Sequence, residues 1–392
     1  MRAIVIGAGP AGLAAAIALR NIGAEPVVYE RSAGPATAGT GLTLWPNAFA
    51  ALSRLGIADA VRAAGCAADG ISMRSMSGRV LYQIPRSVLE SRYGSAGVAL
   101  HRADLTRVLL GLLPAQTVRA GKRFTGIRRE AGQVIAEFAD GTEDRGDVLI
   151  GADGIRSTVR GALGPGPPLR YAGYPVWRGV TEYPLRNGSG QMSLGRGAQF
   201  GLWRLPGGRV YWFAAFAAPA RLAAGERAAR DGPGAARGVA AAGKAELAGR
   251  FAGWYRPIGE IIEATSPAEL LCTDIYDCRR LPRWGAGRMT LAGDAAHPST
   301  PNLGQGTCQA FEDAAVLAGC LDGIGDPVLA LRCYEQRRRR RADFVSAQAR
   351  WMGRLGKLSS APSSWLMEQM ISRMPARGQL YQLDKIFRFE PA

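Results

Sequence analysis

The string Gly7-Ala8-Gly9-Pro10-Ala11-Gly12 constrains this chain more than any other stretch, because of what flanks it. Before it, Ala3 to Ile6 is a short apolar run of the kind buried in a parallel sheet. After it, Ala11 to Arg20 is rich in alanine and leucine, the strongest helix formers, and Pro26 to Tyr29 is a second β-type run ending in Glu30. Strand, glycine turn, helix and strand make one βαβ unit. In such a unit Gly7 permits the tight turn, Gly9 lets the backbone approach a diphosphate, and Gly12 lets the helix pack closely on the sheet. The helix start favours an anion because free amides and the helix dipole point at it. Glu30, eighteen residues beyond Gly12, is placed to accept from a ribose hydroxyl. A bound dinucleotide is therefore expected, and these residues leave NAD and FAD equally open.

Two later segments also run from a strand into an acidic glycine turn. Leu149-Ile150-Gly151-Ala152-Asp153-Gly154 is followed by Ser157 and Arg160. Leu291-Ala292-Gly293-Asp294-Ala295-Ala296-His297-Pro298 is followed by Pro301-Asn302-Leu303-Gly304-Gln305-Gly306 and a long helix from about Thr307. Within that helix Glu312 and Asp313 read as ordinary helical acids. His297 reads as a hydrogen-bonded structural group beside Pro298, with a base as the alternative.

Between 166 and 270 the texture changes to aromatics alternating with small and polar residues. Gln199 to Leu205 and Arg209 to Phe216 flank Pro206-Gly207-Gly208, a hairpin signal. Strand alternation groups Gln199, Gly201 and Trp203 on one face and Phe200, Leu202 and Arg204 on the other. Pro219 to Ala248 is low in complexity and reads as a mobile loop leading into a helix through Phe251 and Trp254. Leu366, Met370 and Met374 have helical spacing, which predicts a packed helical cap, with a membrane-touching amphipathic helix as the alternative.

Composition narrows the function classes. The net charge of +17 is carried almost wholly by arginine, lysine occurring only at Lys122, Lys244, Lys357 and Lys385. The run Arg337 to Arg341 points all around a helix, so it reads as a solvated surface rather than a nucleic-acid stripe. A basic field can still draw in an acidic substrate or a nicotinamide-nucleotide phosphate. Cys66, Cys272, Cys278, Cys308, Cys320 and Cys333 form no Cys-x-x-Cys pair and only His101 and His297 are available, so no metal site is expected. No apolar run approaches the ~18 residues of a membrane span, and the glycines at 7 and 9 break up any leader-like start; a cytoplasmic protein is expected.

The three glycine motifs, in this order and spacing, resemble the flavoprotein aromatic hydroxylases built on the para-hydroxybenzoate hydroxylase fold, nearest the zeaxanthin epoxidase, urate hydroxylase and salicylate hydroxylase branch. The resemblance spans nearly the whole chain. It implies an α/β chain with a Rossmann-like FAD-binding domain (1–75, 99–165 and 271–345) interleaved with a β-sheet substrate domain (76–98 and 166–270), and a helical C-terminal segment (346–392). It further implies FAD as cofactor, NADH or NADPH as a transient co-substrate, O2, and a small aromatic or conjugated substrate that is hydroxylated or epoxidised through a C4a-hydroperoxide, in a monomer or homodimer. Baeyer–Villiger oxygenation on the same fold, and a non-catalytic flavoprotein that binds a metabolite, are the alternatives.

Residue by residue, the resemblance puts Gly7, Gly9, Ala11 and Gly12 on the FAD diphosphate, Glu30 on the adenosine ribose and Arg31 beside the adenine. Asp153 belongs to a turn linked to both FAD and NAD(P)H, Asp294 holds the ribityl end, and Arg102 reaches the flavin side. Gly41 and Leu42, in the segment Gly39 to Asn47, lie along the isoalloxazine ring. Pro301, Gly304, Gln305 and Gly306 meet the flavin where free amides from Leu303 to Gly306 stabilise charge at N1 and the C2 carbonyl. Gln199, Trp203 and Tyr211 face the substrate: the amide for a neutral oxygen or nitrogen, the indole for stacking, the phenol to orient or deprotonate a hydroxyl. Trp177 and Arg178 match a family segment with no assigned role.

Overall fold

A computed structural model describes residues 1–34, 40–130, 132–186, 189–220 and 233–390. Gly39 and residues 221–232 of the low-complexity stretch fall outside the described residues.

The first βαβ unit forms as its sequence dictates: strand Arg2–Ile6, helix Pro10–Asn21, strand Glu25–Tyr29. Pro10 opens the helix at a position whose amide has no intrahelical role, and Gly12 to Leu19 are all buried. The helix has no polar face because it is sandwiched between the sheet and helix Gly306–Gly323. The sheet is parallel throughout, in the order Met289–Leu291, Val148–Gly151, Arg2–Ile6, Glu25–Tyr29, Val118–Arg119. Its carboxyl ends therefore release the Asp294, Asp153 and Gly7 turns side by side. A small antiparallel sheet joins Gly41–Leu44 to Val98–His101 and so delivers the chain to Arg102.

A second, seven-stranded sheet runs Leu271–Cys278, Leu169–Glu182, Arg209–Phe216, Ala198–Arg204, Gln191–Gly195, Gly70–Ser75, Val80–Pro85. The strand from Gly70 and the strand from Leu271 thus carry this sheet a few residues beyond 76–98 and 166–270. Gln199 pairs with Ala215, Gly201 with Phe213 and Trp203 with Tyr211, so these six share one face, as alternation required. The opposite face, with Trp177, Phe200, Leu202 and Trp212, is packed against Phe251, Ile258, Ile261 and Ile262 of the helical layer. Trp177 is thereby a core residue of that layer: a Cβ on Gly243 would come within 2.1 Å of its ring.

The C-terminal cap consists of the long helix Pro327–Leu355 and the helices Ala361–Ser372 and Ala376–Phe387. Asp384 ties the last one down by accepting from Arg92 and from the Tyr93 hydroxyl at 2.8 Å. Among the described residues no helix is long and apolar enough to cross a membrane, and no cluster of His, Cys, Asp and Glu forms a metal site.

Candidate active site

The site is built where three backbone turns crowd together. Gly7 has φ +106°, and a Cβ there would lie 2.5 Å from the Ala152 carbonyl oxygen and 2.9 Å from Asp153 Cα. A Cβ on Gly12 would come within 1.8 Å of the Gly7 carbonyl oxygen, and one on Gly293 within 2.8 Å of Ala11. These glycines are demanded by protein packing. Gly9 is different: a Cβ there meets nothing within 4 Å, so its backbone is open to a ligand. That contrast is the cradle a diphosphate needs, and the residues present fit FAD.

The acids around the turns have distinct surroundings. Glu30 accepts from the amides of Ala8 and Ser32, both at 2.9 Å; burial pushes its carboxyl up, but these amides outweigh it and hold it below the ordinary range. Exposed Arg31 adds a favourable field at the same carboxylate. Asp153 accepts from the Ser157 hydroxyl at 2.5 Å and from the amide of Thr158 at 2.7 Å, capping the short helix Thr158–Ala162. Its carboxylate is spent on shaping its own turn.

Asp294 is solvent-accessible but stands in a recess walled by protein. The resulting desolvation pushes its carboxyl up, opposed by the fields of His297, Arg102 and Arg160. Its Oδ1 would be 3.9 Å from a Cβ on Gly306, so the Asp294 and Gly304–Gly306 turns adjoin. Arg102 is exposed at the start of helix Arg102–Gly111, with its amide bonded to the Thr40 carbonyl at 3.0 Å.

At the second turn, Gly304 adopts φ +61° and its amide donates to the Pro301 carbonyl at 2.8 Å. The first backbone bond of the following helix is Gln309 N–H to the Gln305 carbonyl, which leaves the amides of Gly306, Thr307 and Cys308 without helical partners. Of the amides from Leu303 to Gly306, that of Gly304 is spent on the turn itself. The Gln305 side chain turns inward: Asn47 Nδ2 donates to its Oε1 at 2.8 Å and to Glu312 Oε1 at 2.7 Å.

Beneath this turn lies a buried charge network that sequence reasoning missed. Glu312, Asp313 and Arg338 are at most 1 % exposed. Arg338 donates through Nε to Asp313 at 2.7 Å and through Nη1 to Glu312 at 2.5 Å, while Arg341 donates to both Glu312 oxygens. The Asp313 carboxylate also accepts from the Gly293 amide at 2.8 Å and meets His297 Nε2 at 2.7 Å. Burial would push the His297 imidazole down, but Asp313 wins and holds it above the ordinary range; burial would push Asp313 up, but His297 and Arg338 hold it below. So Glu312 and Asp313 are not ordinary helical acids, and Arg338 is not solvated surface. Helix Pro327–Leu355 buries the stripe Tyr334, Arg338, Ala342 and Val345, and the matching acids on helix Gly306–Gly323 accommodate the arginine. The readable signal was that i, i+4 stripe running through the arginine run. His297 has the structural partner its sequence context suggested.

On the sheet face opposite the helical layer, Trp203 stacks at 5.8 Å on Tyr211 and at 5.6 Å on Phe213. The Trp203 Nε1 is buried and has no hydrogen-bond partner among the described residues. Tyr211 abuts strand Gly41–Leu44, since a Cβ on Gly41 would fall 2.2 Å from its ring. Burial pushes the Tyr211 phenol up and Arg178 only partly offsets this. Gln199 lies under Gly356 at the end of the long helix, where a Cβ would meet its Nε2 at 1.3 Å. The structure thus gathers Gln199, Trp203 and Tyr211 on one face, against the strand that carries Gly41 and half-buried Leu42. Arg178 and Tyr174, which bonds Asn302 beside Pro301, also belong to this side. A depression of about 440 Å³ beside Met1, Gly23, Asp147 and Arg288 lies at the opposite, amino-terminal ends of the parallel strands and holds none of the motif residues.

Comparison with known proteins shows the family to which this fold belongs. The model of an FAD binding domain family matches residues 1–169 and 274–349. The aurachin C monooxygenase/isomerase of Stigmatella aurantiaca is 36% identical over 95% of this chain and 94% of its own length. The FAD-dependent urate hydroxylase of Klebsiella pneumoniae is 35% identical over 89% of each chain. The crystal structure of Klebsiella pneumoniae HpxO complexed with FAD and uric acid superposes with a TM-score of 0.87 at 31% identity, covering 99% of this chain and 96% of that one.

Proposed function

The chain belongs to the FAD-dependent monooxygenases of the FAD binding domain family, and from that premise we propose that it hydroxylates or epoxidises an aromatic or conjugated small molecule, using O2 and NADH or NADPH. Bound FAD supplies the hydride acceptance and the oxygen activation. The chain's own residues bind, orient and keep water out.

In this reading the open backbone at Gly9, between Gly7, Ala11 and Gly12, holds the diphosphate, and Glu30 and Arg31 meet the adenosine. Arg102 and Asp294 meet the ribityl and flavin side, with Gly41 and Leu42 along the ring. The amides after Gln305, reached past Pro301 and Gly304, supply a positive helix end to the ring's anionic edge. Asp153 acts through its turn.

The observation that carries the substrate side is the aromatic face on which Trp203 stacks with Tyr211 and Phe213, beside Gln199 and against the Gly41 strand. Gln199 both donates and accepts, so it suits a neutral substituent, and Tyr211 orients a hydroxyl. The relatives named for aurachin C and urate support a substrate that combines a ring system with polar atoms. Six cysteines carried as free thiols support a reducing, cytoplasmic setting, and we place the enzyme there as a monomer or homodimer.

The test is a screen of ring compounds for stimulated NADH or NADPH oxidation, with label from 18O2 followed into product. For the true substrate, Trp203→Phe and Tyr211→Phe keep their FAD but release more of the reducing equivalents as hydrogen peroxide. Tight coupling and unchanged kinetics in both variants would place the substrate elsewhere.

A further inference from the structure

We propose that helix Ala361–Ser372 docks the enzyme on an anionic membrane surface. Its inner stripe is already satisfied: Met367 and Ile371 pack with Met73, Leu194, Met352 and Leu355. Yet its outer stripe is apolar too. Trp365 is 61% exposed, Leu366 55% and Met370 65%, and Met374, just past the helix, is 42% exposed. At 3.6 residues per turn these helix positions fall on one arc with Gln369, so they form a patch and not scattered residues. A helix that is apolar on both faces has two faces to cover, and the fold covers one.

Charge selects the occupant. The single acid of this helix, Glu368, is turned to the protein and paired with Arg79 at 2.9 Å. The exposed cations Arg373 and Arg377 follow the patch directly. With a net charge of +17, a second copy of the chain is repelled, whereas a bilayer carrying anionic lipid attracts. Tryptophan and methionine beside arginines are the composition of a helix lying in a lipid interface. The cap joins the pocket sheet through Met367 against Leu194, the residue paired with Gln199, so a single helical layer separates the lipid from that sheet.

The experiment uses the full FAD-loaded chain, sedimented with vesicles of phosphatidylcholine alone or mixed with phosphatidylglycerol in equal parts. Binding is expected to the mixed vesicles and to weaken with added salt. Arg373→Gln and Arg377→Gln should each weaken it about five-fold. The combined variant Trp365→Ser, Leu366→Ser, Met370→Ser should weaken it by more than about ten-fold. Because all three side chains point outward, FAD content and melting temperature stay at the parent values and show that the variant is folded. Absence of vesicle binding, equal binding to both vesicle types, or undiminished binding by the serine variant would each overturn the proposal. Self-association abolished by the serine variant, without vesicle binding, would overturn it in favour of a second copy.

Discussion

The turns at the ends of the parallel strands and the aromatic face of the seven-stranded sheet contribute to one candidate site in opposite ways. The turns act through backbone: Gly7, Gly12 and Gly293 are set by close approaches of 2.5, 1.8 and 2.8 Å, and the side chains nearby mostly serve the protein itself. The sheet face acts through side chains: Trp203, Tyr211 and Gln199 sit on ordinary strands that other residues of similar size can occupy. A backbone site leaves a spelling in the sequence, because only glycine fits. A side-chain site leaves only an alternation.

The sharpest way to break the comparison is through the network under the turns, which is made of side chains and yet supports a backbone site. Arg338→Ala leaves Glu312 and Asp313 buried without their shared cation and should cost about 3–5 kcal/mol, read by urea denaturation. If stability is unchanged, the turns do not depend on the network. Next, Gly9→Val should retain the melting temperature of the FAD-free parent, since a Cβ there meets no protein atom within 4 Å, while losing FAD. Gly12→Val, by contrast, must displace the Gly7 carbonyl and should lose both. Full flavin content in a folded Gly9→Val protein would remove this turn from the cofactor site.

Smaller effects sharpen the contrast. Asp294→Ala should weaken FAD affinity by about 1.5–3 kcal/mol, measured by titration of the apoprotein, while the sheet-face variants leave that affinity alone. Trp203→Phe keeps an aromatic ring but shortens the stacking surface, so the expected change is about 0.5–1.5 kcal/mol in substrate KM, with peroxide leakage as a second readout. The smallest effect is a pH dependence. His297 is held above its ordinary value, so its contribution to stability is complete below about pH 6.5 and is lost as pH rises through the raised value. Asp313 is held below its ordinary value, so its contribution is present above about pH 3.9 and fades as pH falls. Melting temperature should therefore decline on the alkaline side, and His297→Asn should flatten that decline.

The fold and the site are most legible in the sequence where geometry forbids alternatives. Gly7, Gly9, Gly12, the hairpin about Pro206-Gly207-Gly208 and the shared face of Gln199 and Trp203 follow from steric and periodic rules that act within a few residues. The partnership of Arg338 with Glu312 and Asp313 does not, because twenty-five residues separate Arg338 from Asp313 and only helix-on-helix packing turns them inward. The same holds for Tyr211 against Gly41 and for Gln199 under Gly356, contacts between segments whose own patterns say nothing of each other. That the Gly304 amide is spent on the Pro301 carbonyl depends on a turn geometry that residue types alone do not specify.

The contact of Tyr211 with Gly41 has a consequence for how such a pocket diversifies. Any side chain added at 41 must evict the phenol, and any shortening at 211 opens a gap against the strand Gly41–Leu44. Neither position drifts alone, so the two behave as a single heritable unit. If this face is the substrate side, as proposed, variation in preference is channelled toward Gln199, which meets the end of the long helix at Gly356 and leaves the Gly41 strand untouched.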